Sequence, residues 1–459
     1  MKLFGSKRSG SMLAKNRANP PRTYNPQNVS VSGGAAVAEA PAVRKKNPLK
    51  VLALILAIVL FFEVCYFVCV YSNNGFISKW RNIYITTAMD TLSHKWLATA
   101  FIPPDVIDGV MAEKQAALQE DQGLESSWSK PEEEAIPETP IVEKPTTELD
   151  TVITTEEDAA EAQARAEFYN LFYELDVDSM EAHLEKHPEL LANGWEGIYI
   201  NEAGLDDEGT DIYTRDQKQV LAIDAPNQIL LLRIKGSGYQ GVLAIAKDPS
   251  LLTVRPSSQL GICGESAGTI AKQYNGVLAM TGSGFIDPDG NGNGGILAGY
   301  AMCNGVEYGT GHCGYGYKRL ELHEDNLMYL KDAGAPVGES TTDAVEFLPA
   351  MIVDGNITGT VSAYNGLHPR ACIGQSDKYE VLMLAIEGRQ PTRSLGTDLT
   401  ECAKILKEHG CMQALNVDGG TSAMLWFDGE EVIKCSNAAL PEGRGLPTAF
   451  VYARADTAE

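Results

Sequence analysis

The sequence lacks the patterns that identify several common enzyme classes. It has no Walker loop and no H-E-x-x-H, which excludes P-loop nucleotide-binding proteins and zincins. It also has no C-x-x-C pair, and its seven histidines do not cluster, so a zinc site is not expected. The net charge is −24, and the chain beyond its one long apolar run is strongly acidic. Such a body repels a polyphosphate backbone, so we expect no nucleic-acid partner.

One long apolar run is present, near the N-terminus. Residues 51–71 read VLALILAIVLFFEVCYFVCVY, with Glu63 as the only charge, and a membrane span needs about 20 such residues. Residues 1–50 hold ten Lys and Arg against one acid, and four of these basic residues (44, 45, 46 and 50) directly precede the run. The positive-inside rule therefore predicts a single-pass signal-anchor in the cell membrane, with the N-terminus cytoplasmic and the C-terminal domain extracellular.

Composition divides the chain into six predicted parts. Residues 1–47 are predicted to be a disordered basic tail, 48–72 a transmembrane helix and 73–112 a juxtamembrane segment. Residues 113–154 are acidic and rich in Pro and Glu, which favours an extended linker. Residues 155–192 show helical spacing, and 193–456 are predicted to form the large globular domain.

The globular domain combines short apolar strands with at least one well-marked helix. Strands are predicted at 220–224, 229–234, 241–246, 381–386 and 414–417, with glycine-rich loops between them. A helix lies between the last two, with Asp398 as its N-cap, Glu401 three residues on and Gly410 after its end. The irregular alternation predicts an α+β fold with a mixed sheet and packed helices, or a mixed α/β fold.

Cysteine usage leaves the disulfide question open. Two of the nine cysteines lie in the apolar run, and an odd number, seven, remain outside it. One or two disulfides are possible in an oxidising compartment, but their connectivity does not follow from the sequence.

Three segments carry polar residues and glycines that a packed core does not need. In ALNVDGGTSAMLWFDGE (414–430), a strand containing Asn416 runs into Asp418, followed by Gly419, Gly420, Thr421 and Ser422. Glycines after a carboxylate allow close approach of a ligand and expose N–H groups to an anion, although a plain turn also explains a bare DGG.

The other two segments present arginines next to strands. HPRACIGQ (368–375) contains Arg370, and AIEGRQPTRSLG (385–396) contains Arg389 and Gln390. The planar guanidinium fork suits phosphate or carboxylate, although a single arginine is more often part of a surface ion pair.

These motifs, in this order and spacing, resemble the phosphodiester glycosidase family over roughly residues 195–455. YNGVLAMTGSGFIDPDG (274–290) and EGRGLPTAF (442–450) add to the resemblance. It implies hydrolysis of a sugar-1-phosphodiester, with Asp418, Arg370 and Arg389 in catalytic positions. It also implies a substrate-binding set, which is Asn416, Gly419, Gly420, Thr421, Ser422, Thr281, Ser283 and Gln390.

The sequence departs from the family pattern at four positions. The family usually has Asn where Thr281 stands, Thr where Ala371 stands and Asp where Glu387 stands, and its DGG commonly continues with Ser or Gly instead of Thr421. The first two changes remove hydrogen-bonding groups from the expected sugar pocket. They favour an alternative in which the domain only binds an anionic glycopolymer.

No cofactor is expected, with one possible exception. Asp287, Asp289, Asn291 and Asn293 alternate like the first half of a calcium loop, but Ala298 stands where the loop needs its twelfth-position Glu. A polar loop that faces the substrate is the simpler interpretation. A metal-dependent phosphodiesterase that cuts the P–O bond is a third hypothesis for the whole domain.

The sequence thus predicts a membrane-anchored enzyme outside the cytoplasm. We expect its partners to be a phosphorylated glycan or glycopolymer of the cell envelope, such as an exopolysaccharide, and the membrane itself.

Overall fold

The computed structural model describes residues 48–91, 94–129, 156–206, 208–288, 292–309, 311, 313–314 and 316–455, without the side chains of 156–158. The predicted basic tail, all of the predicted linker beyond residue 129, Asp289 and Asn291 lie outside these residues. Contacts divide the chain into two units, residues 1–62 and 63–459.

Helices occur both before and within the globular domain. In the described residues they are α1 Pro48–Tyr71, α2 Gly75–Met89, α3 Trp96–Thr99, α4 Pro104–Glu120, α5 Glu156–Leu171, α6 Val177–Lys186, α7 Ala267–Gln273 and α8 Leu399–Glu408. By length and composition, α1 is long and apolar enough to cross a membrane.

The strands begin at residue 199. In the described residues they are β1 Tyr199–Asn201, β2 Val220–Asp224, β3 Ile229–Gly236, β4 Tyr239–Ala246, β5 Leu252–Pro256, β6 Gly276–Thr281, β7 Tyr300–Cys303, β8 Val306–Gly309, β9 Lys318–His323, β10 Met328–Asp332, β11 Thr341–Phe347, β12 Ala350–Val353, β13 Asn356–Ile357, β14 Arg370–Ser376, β15 Val381–Ile386, β16 Cys411–Asn416, β17 Leu425–Phe427, β18 Glu430–Glu431 and β19 Thr448–Ala453.

These strands form three sheets. A nine-stranded sheet has the order β1-β2-β3-β4-β15-β14-β16-β12-β13, and two five-stranded sheets have the orders β10-β9-β11-β7-β8 and β18-β17-β6-β19-β5. The strand pairings in the described residues are antiparallel, as in β14 with β15 and with β16. The predicted combination of helices with a sheet is confirmed, whereas the mixed sheet is replaced by antiparallel ones. Helix α8 explains the difference. It connects β15 to β16, which run parallel to each other, but β14 lies between them in the sheet and pairs antiparallel with both.

The large sheet is covered on both faces, which accounts for its continuous apolar strands. Along β3, Leu230 and Leu232 pack in one cluster with Leu406 of α8, while Leu231 packs in a second cluster with Phe450 of β19. Successive side chains of a strand point to opposite faces, so a strand buried on both faces needs an unbroken apolar run. Burying one such leucine stabilises the fold by about 2 kcal/mol.

The predicted helical segment and the predicted capped helix are both present. Helices α5 and α6 fill residues 156–186, and the buried Phe172 of the segment joins the cluster on the α8 side of the large sheet. The carboxylate of Asp398 accepts a hydrogen bond from the Glu401 amide at 2.8 Å, as expected of an N-cap.

The segment after α1 is more ordered than its composition suggests. Helices α2 to α4 share a small core that includes Ile85, Ala98 and Ile107, and the Thr86 hydroxyl contacts the Asn365 amide oxygen at 2.6 Å. Helix α4 runs to Glu120, and the amide of Ser126 donates to the Leu330 carbonyl at 2.9 Å. The structure thus places the last eight residues of α4, 113–120, within the segment that the sequence predicts to be a linker.

Candidate functional site

A cavity of about 430 Å³ opens where β14 begins and β15 and β16 end, and it is lined by the loop of residues 417–422. Other parts of the lining come from Asp90 and Thr91, which follow α2, from Lys114 of α4, and from a loop around residues 284–298. Arg370, Arg389 and Asp418, which are distant in sequence, all line this cavity. The register of the sheet explains why, since β14 pairs with both β15 and β16.

Arg370 is the first residue of β14, and its side chain is held rigidly. Its Nε donates to the Thr397 carbonyl at 3.1 Å, and its Nη2 donates to the carbonyls of Gly366 and Tyr364 at 2.8 and 3.4 Å. Only 7% of the residue is exposed. These bonds hold Nε and Nη2, so the guanidinium group that lines the cavity is fixed in its orientation.

Arg389 follows β15 with a left-handed backbone, at a φ of 58°. Its buried Nε has no hydrogen-bond partner among the described residues. A Cβ at Gly420 would lie 3.0 Å from its Nη1, so the glycine allows the loop to approach the guanidinium. Burial, with the nearby Arg370 charge, lowers the pKa of Arg389 from its usual value.

Neither guanidinium has a carboxylate partner. Among the described residues, no salt bridge involves Arg370 or Arg389, although acids far outnumber bases in the whole chain. A buried charge without a counterion is costly, and an incoming anion removes that cost. The cavity is therefore suited to bind a phosphate or a carboxylate.

His368 lies beside both arginines and is 4% exposed. Burial, with the charges of Arg370, Arg389 and Lys114, lowers the pKa of His368 well below its usual value. The imidazole is thus neutral near pH 7. Its Nδ1 lies 3.4 Å from Nη2 of Arg389, and its buried Nε2 has no partner in the described structure.

Asp418 lies two residues after the end of β16, and its half-buried side chain lines the cavity. Burial raises the pKa of Asp418 to about 6, against a hydrogen bond with Ser422 and the charge of Arg444, which lower it. A carboxylate poised near neutral pH can act as a base or a nucleophile. The poor solvation of a carboxylate deep in a cavity explains the direction of the shift.

Asn416, the last residue of β16, presents an amide at the same edge. Its Nδ2 donates to the Leu348 carbonyl at 2.6 Å, which orients the side chain. Its Oδ1 is buried and has no partner among the described residues. An acceptor in this state suits a sugar hydroxyl.

The comparison with known proteins supports the family resemblance. Residues 274–453 match the model of the phosphodiester glycosidase family, NAGPA. The predicted resemblance is confirmed over this phosphodiester glycosidase region. It contains Arg370, Arg389, Asp418 and Asn416, whereas β2 to β5 and helices α2 to α4 precede it.

Three solved structures are similar to the chain. The catalytic domain of zebrafish N-acetylglucosamine-1-phosphodiester alpha-N-acetylglucosaminidase, auto-inhibited by its pro-peptide, is 17% identical, with a TM-score of 0.41, over 49% of this chain and 82% of that one. A hypothetical protein from Synechocystis is 14% identical, with a TM-score of 0.35, over 51% and 64%. A putative exported protein from Burkholderia pseudomallei is 14% identical, with a TM-score of 0.33, over 48% and 75%. A search of curated proteins found no match.

Most of the substrate-binding residues predicted from the family motif lie together. Asn416, Gly419, Gly420, Thr421 and Ser422 line the same cavity as the two arginines and Asp418.

The other three predicted substrate-binding residues lie elsewhere. The buried Thr281 hydroxyl donates to the Ser422 carbonyl and accepts from the Met424 amide at 3.1 Å. Ser283 is buried, with its hydroxyl 2.7 Å from that of Thr448, and the Gln390 amide donates to the Lys434 carbonyl at 3.4 Å. None of the three lines the cavity, so we leave them out of the site proposed below.

Departures from the family pattern also fall mainly outside the cavity lining. Ala371 is buried in the core side of β14. The fully buried Glu387 accepts from Nε of Arg393 at 2.5 Å and from the Lys434 amide at 2.7 Å. Of the four departures, Thr421 alone faces the cavity, so Thr281 and Ala371 do not remove hydrogen-bonding groups from its walls.

Several residues of the cavity wall were not predicted from the sequence, among them Lys114, Asp90 and Tyr364. The Lys114 ammonium of α4 bonds to the Asp90 carboxylate at 2.7 Å and lies 4.0 Å from the centroid of the Tyr364 ring. Burial, and to a lesser extent the charge of Arg370, lowers the pKa of Lys114. The acidic composition of the segment around Lys114 gave no sign of a cavity residue. The only available signal was that Lys114 lies on a helix whose apolar residues recur at helical spacing.

The possible calcium loop is only partly described. Asp287 forms a salt bridge with Arg444 at 2.6 Å, and the Asn293 amide donates to the Ile262 carbonyl at 2.8 Å. Asp289 and Asn291 lie outside the described residues. Within those residues, no group of three His, Cys, Asp or Glu is arranged to hold a metal.

All nine cysteines are described, and each is a free thiol. The possible one or two disulfides are therefore not formed in this structure. Cys402 of α8 is buried and lies in hydrogen-bond contact with Cys372 of β14.

Proposed function

We propose that the protein is a membrane-anchored phosphodiester glycosidase, with its domain outside the cytoplasm, that hydrolyses a sugar-1-phosphodiester of a cell-envelope glycopolymer or glycoconjugate. The observation that carries the proposal is the meeting of Arg370, Arg389 and Asp418 in one cavity of the region that matches the family. The apolar helix α1 and the basic residues before it support the anchor and its orientation.

The reaction adds water across the bond between the anomeric carbon and the phosphate oxygen. The products are the free sugar and a phosphate monoester, which needs little proton assistance to leave. Arg370 and Arg389 hold the phosphate and stabilise the charge that develops on it, because they present guanidinium groups without carboxylate partners.

Asp418 supplies the carboxylate that faces the sugar. In its ionised form it stabilises the cationic ring of the transition state and serves as nucleophile or as base for water. Asn416 orients sugar hydroxyls, and Gly419 and Gly420, which line the same wall, leave room for the substrate to approach closely. Neutral His368 positions the guanidinium of Arg389.

The direct test incubates the purified full chain in detergent with a sugar-1-phosphodiester and measures release of reducing sugar. We expect release in the unaltered protein and about a thousandfold slower release in Asp418→Asn. Labelled water should place its oxygen in the sugar, whereas a phosphodiesterase that cuts P–O would place it in the phosphate. Saturable binding without release would support the alternative of a binding module and reject the enzyme.

A further inference from the structure

Helix α2 carries a stripe of exposed aromatic side chains. Phe76, Trp80 and Tyr84 are spaced four residues apart, and 72%, 54% and 42% of their surfaces are exposed. Residues at this spacing lie on the same side of a helix. Ile85 and Ala88 of the same helix are buried in the small core of α2 to α4, so the helix has a packed face and an exposed apolar face.

The stripe continues onto the next turn of chain. Trp96 and Phe101 are 57% and 58% exposed, and the Tyr84 hydroxyl donates to the Leu97 carbonyl at 2.5 Å. We call Phe76, Trp80, Tyr84, Trp96 and Phe101 the aromatic face. So many exposed rings close together would be a liability on a surface that meets only water.

The position of the aromatic face in the chain indicates what covers it. Helix α1 ends at Tyr71 and α2 begins at Gly75. The Arg81 guanidinium of α2 donates to the Val70 and Ser72 carbonyls at 2.8 and 3.2 Å, which fixes α2 to the end of α1. Trp and Tyr concentrate where hydrocarbon meets headgroups, and this face starts within five residues of the apolar helix.

The other end of α2 reaches the cavity. Asp90 and Thr91, which directly follow the helix, line the cavity together with Arg370. Tyr84 lies six residues before Asp90, which corresponds to about 9 Å along a helix. One short helix therefore connects the aromatic face to the proposed phosphate site.

We propose that the aromatic face lies in the headgroup region of a lipid bilayer and that the cavity takes glycosyl phosphodiesters whose phosphate is carried on a lipid. The substrate part rests on the proposed function. Hydrolysis then breaks the bond between the anomeric carbon and the phosphate oxygen. The hydroxyl of water goes to the carbon and its proton to the phosphate, so that the sugar is released and a lipid phosphate monoester stays in the membrane. Arg370 and Arg389 face the lipid-borne phosphate.

Tryptophan fluorescence tests the surface independently of activity. Of the five tryptophans, Trp195 and Trp426 are buried and Trp128 is partly buried, which leaves Trp80 and Trp96 exposed. The full chain is reconstituted into vesicles of phosphatidylcholine with a minor fraction of phosphatidylglycerol. The phosphatidylcholine acyl chains carry bromine atoms close to the headgroups, and bromine quenches tryptophan fluorescence on contact. We expect strong quenching that disappears in Trp80→Phe/Trp96→Phe. Equal quenching in both proteins, or none in either, would overturn the lipid contact and leave a soluble protein partner as the occupant.

Substrate presentation tests the second part. Hydrolysis of a vesicle-borne glycosyl phospholipid is compared with that of a soluble short-chain analogue. In Trp80→Ser/Trp96→Ser, kcat/KM for the vesicle-borne substrate should fall by about tenfold, with the soluble substrate unchanged, because less apolar surface enters the bilayer. The matched control is Ile262→Ser, at a side chain 73% exposed outside the aromatic face. Equal losses on both substrates, or no preference for the vesicle-borne one, would overturn the lipid-borne substrate class.

Failure of the two proposals is distinguishable. An unaltered protein that hydrolyses neither substrate contradicts the proposed function, while the quenching result still decides whether the aromatic face contacts lipid.

Discussion

Nη2 of Arg389 lies 3.4 Å from Nδ1 of His368. A protonated imidazole would repel this guanidinium, whereas a neutral one accepts a hydrogen bond through Nδ1 and carries its own proton on Nε2. Burial and three nearby cations keep the pKa of His368 low, in agreement with the geometry. We therefore expect the pair to act as a fixed anion-binding unit and not as a proton donor.

The first prediction follows from the neutral His368. Because Asp418 has a pKa raised to about 6, we expect kcat/KM to rise with pH through about 6 as Asp418 ionises. His368→Gln should lower substrate affinity, because Arg389 loses its neighbour, but should leave this acid limb in place. A pH profile of both proteins checks it. Loss of the limb in His368→Gln would assign the titration to the histidine.

A second prediction concerns the cost of Asp418 to the fold. Asp418→Asn should reduce kcat/KM by about a thousandfold, because the ionised group acts in the transition state. The same change should stabilise the protein near pH 7 by about 1 to 2 kcal/mol, allowing for partial solvation.

The sign of that effect depends on pH. A folded-state pKa above the unfolded value favours the protonated form in the fold, so the unaltered protein loses stability as pH rises from about 4 to about 6. Unfolding at several pH values should show the two proteins diverging over this window. A constant difference would contradict the assigned pKa.

The two arginines should differ in their effect on stability. Arg370→Ala and Arg389→Ala should each weaken substrate binding by about 10- to 100-fold, since a charge-assisted bond is worth about 1.5 to 3 kcal/mol. Arg370→Ala should also lower the melting temperature, because its side chain bonds three carbonyls. Arg389→Ala should not, because its buried Nε is unpartnered. Titration calorimetry measures the change in substrate binding and scanning calorimetry the change in melting temperature, with Arg255→Ala, outside the cavity, as control. Equal loss of melting temperature in Arg370→Ala and Arg389→Ala would contradict the prediction.

A fourth prediction tests Lys114, which lies outside the region that matches the family. Lys114→Gln should raise KM by about tenfold with little change in kcat, because the ammonium contributes to the phosphate site before and during the reaction. Lys114→Arg should retain affinity and, unlike the unaltered protein, keep it at alkaline pH, since the pKa of Lys114 is lowered by burial. The exposed Lys404→Gln is the matched control. An unchanged KM in Lys114→Gln would remove this residue from the site.

Local patterns were good guides to individual elements. Apolar runs identified β2, β3, β4 and β15, and Asp398 correctly marked the start of α8. Such features depend on neighbours a few residues apart, which the sequence displays directly.

Non-local features were harder to predict. The mixed sheet was wrong because strand direction depends on which strands pair. The end of α4, residues 113–120, fell in the predicted linker because the composition of that segment is acidic. Thr281 and Ser283 belong to a family motif, yet their side chains turn into the core. Motif membership does not say which side of a strand faces a cavity.

The sequence by itself determined the apolar helix, the acidic body, the strand-rich domain and the family resemblance. Each of these depends on composition or on short motifs, which can be recognised from residues that are neighbours in the chain. Only the tertiary structure brought Arg370, Arg389 and Asp418 into one cavity and added Lys114 to its wall. The physical reason is that the pairing of β14 with β15 and β16, and the packing of α4 against the domain, join residues that are far apart along the chain.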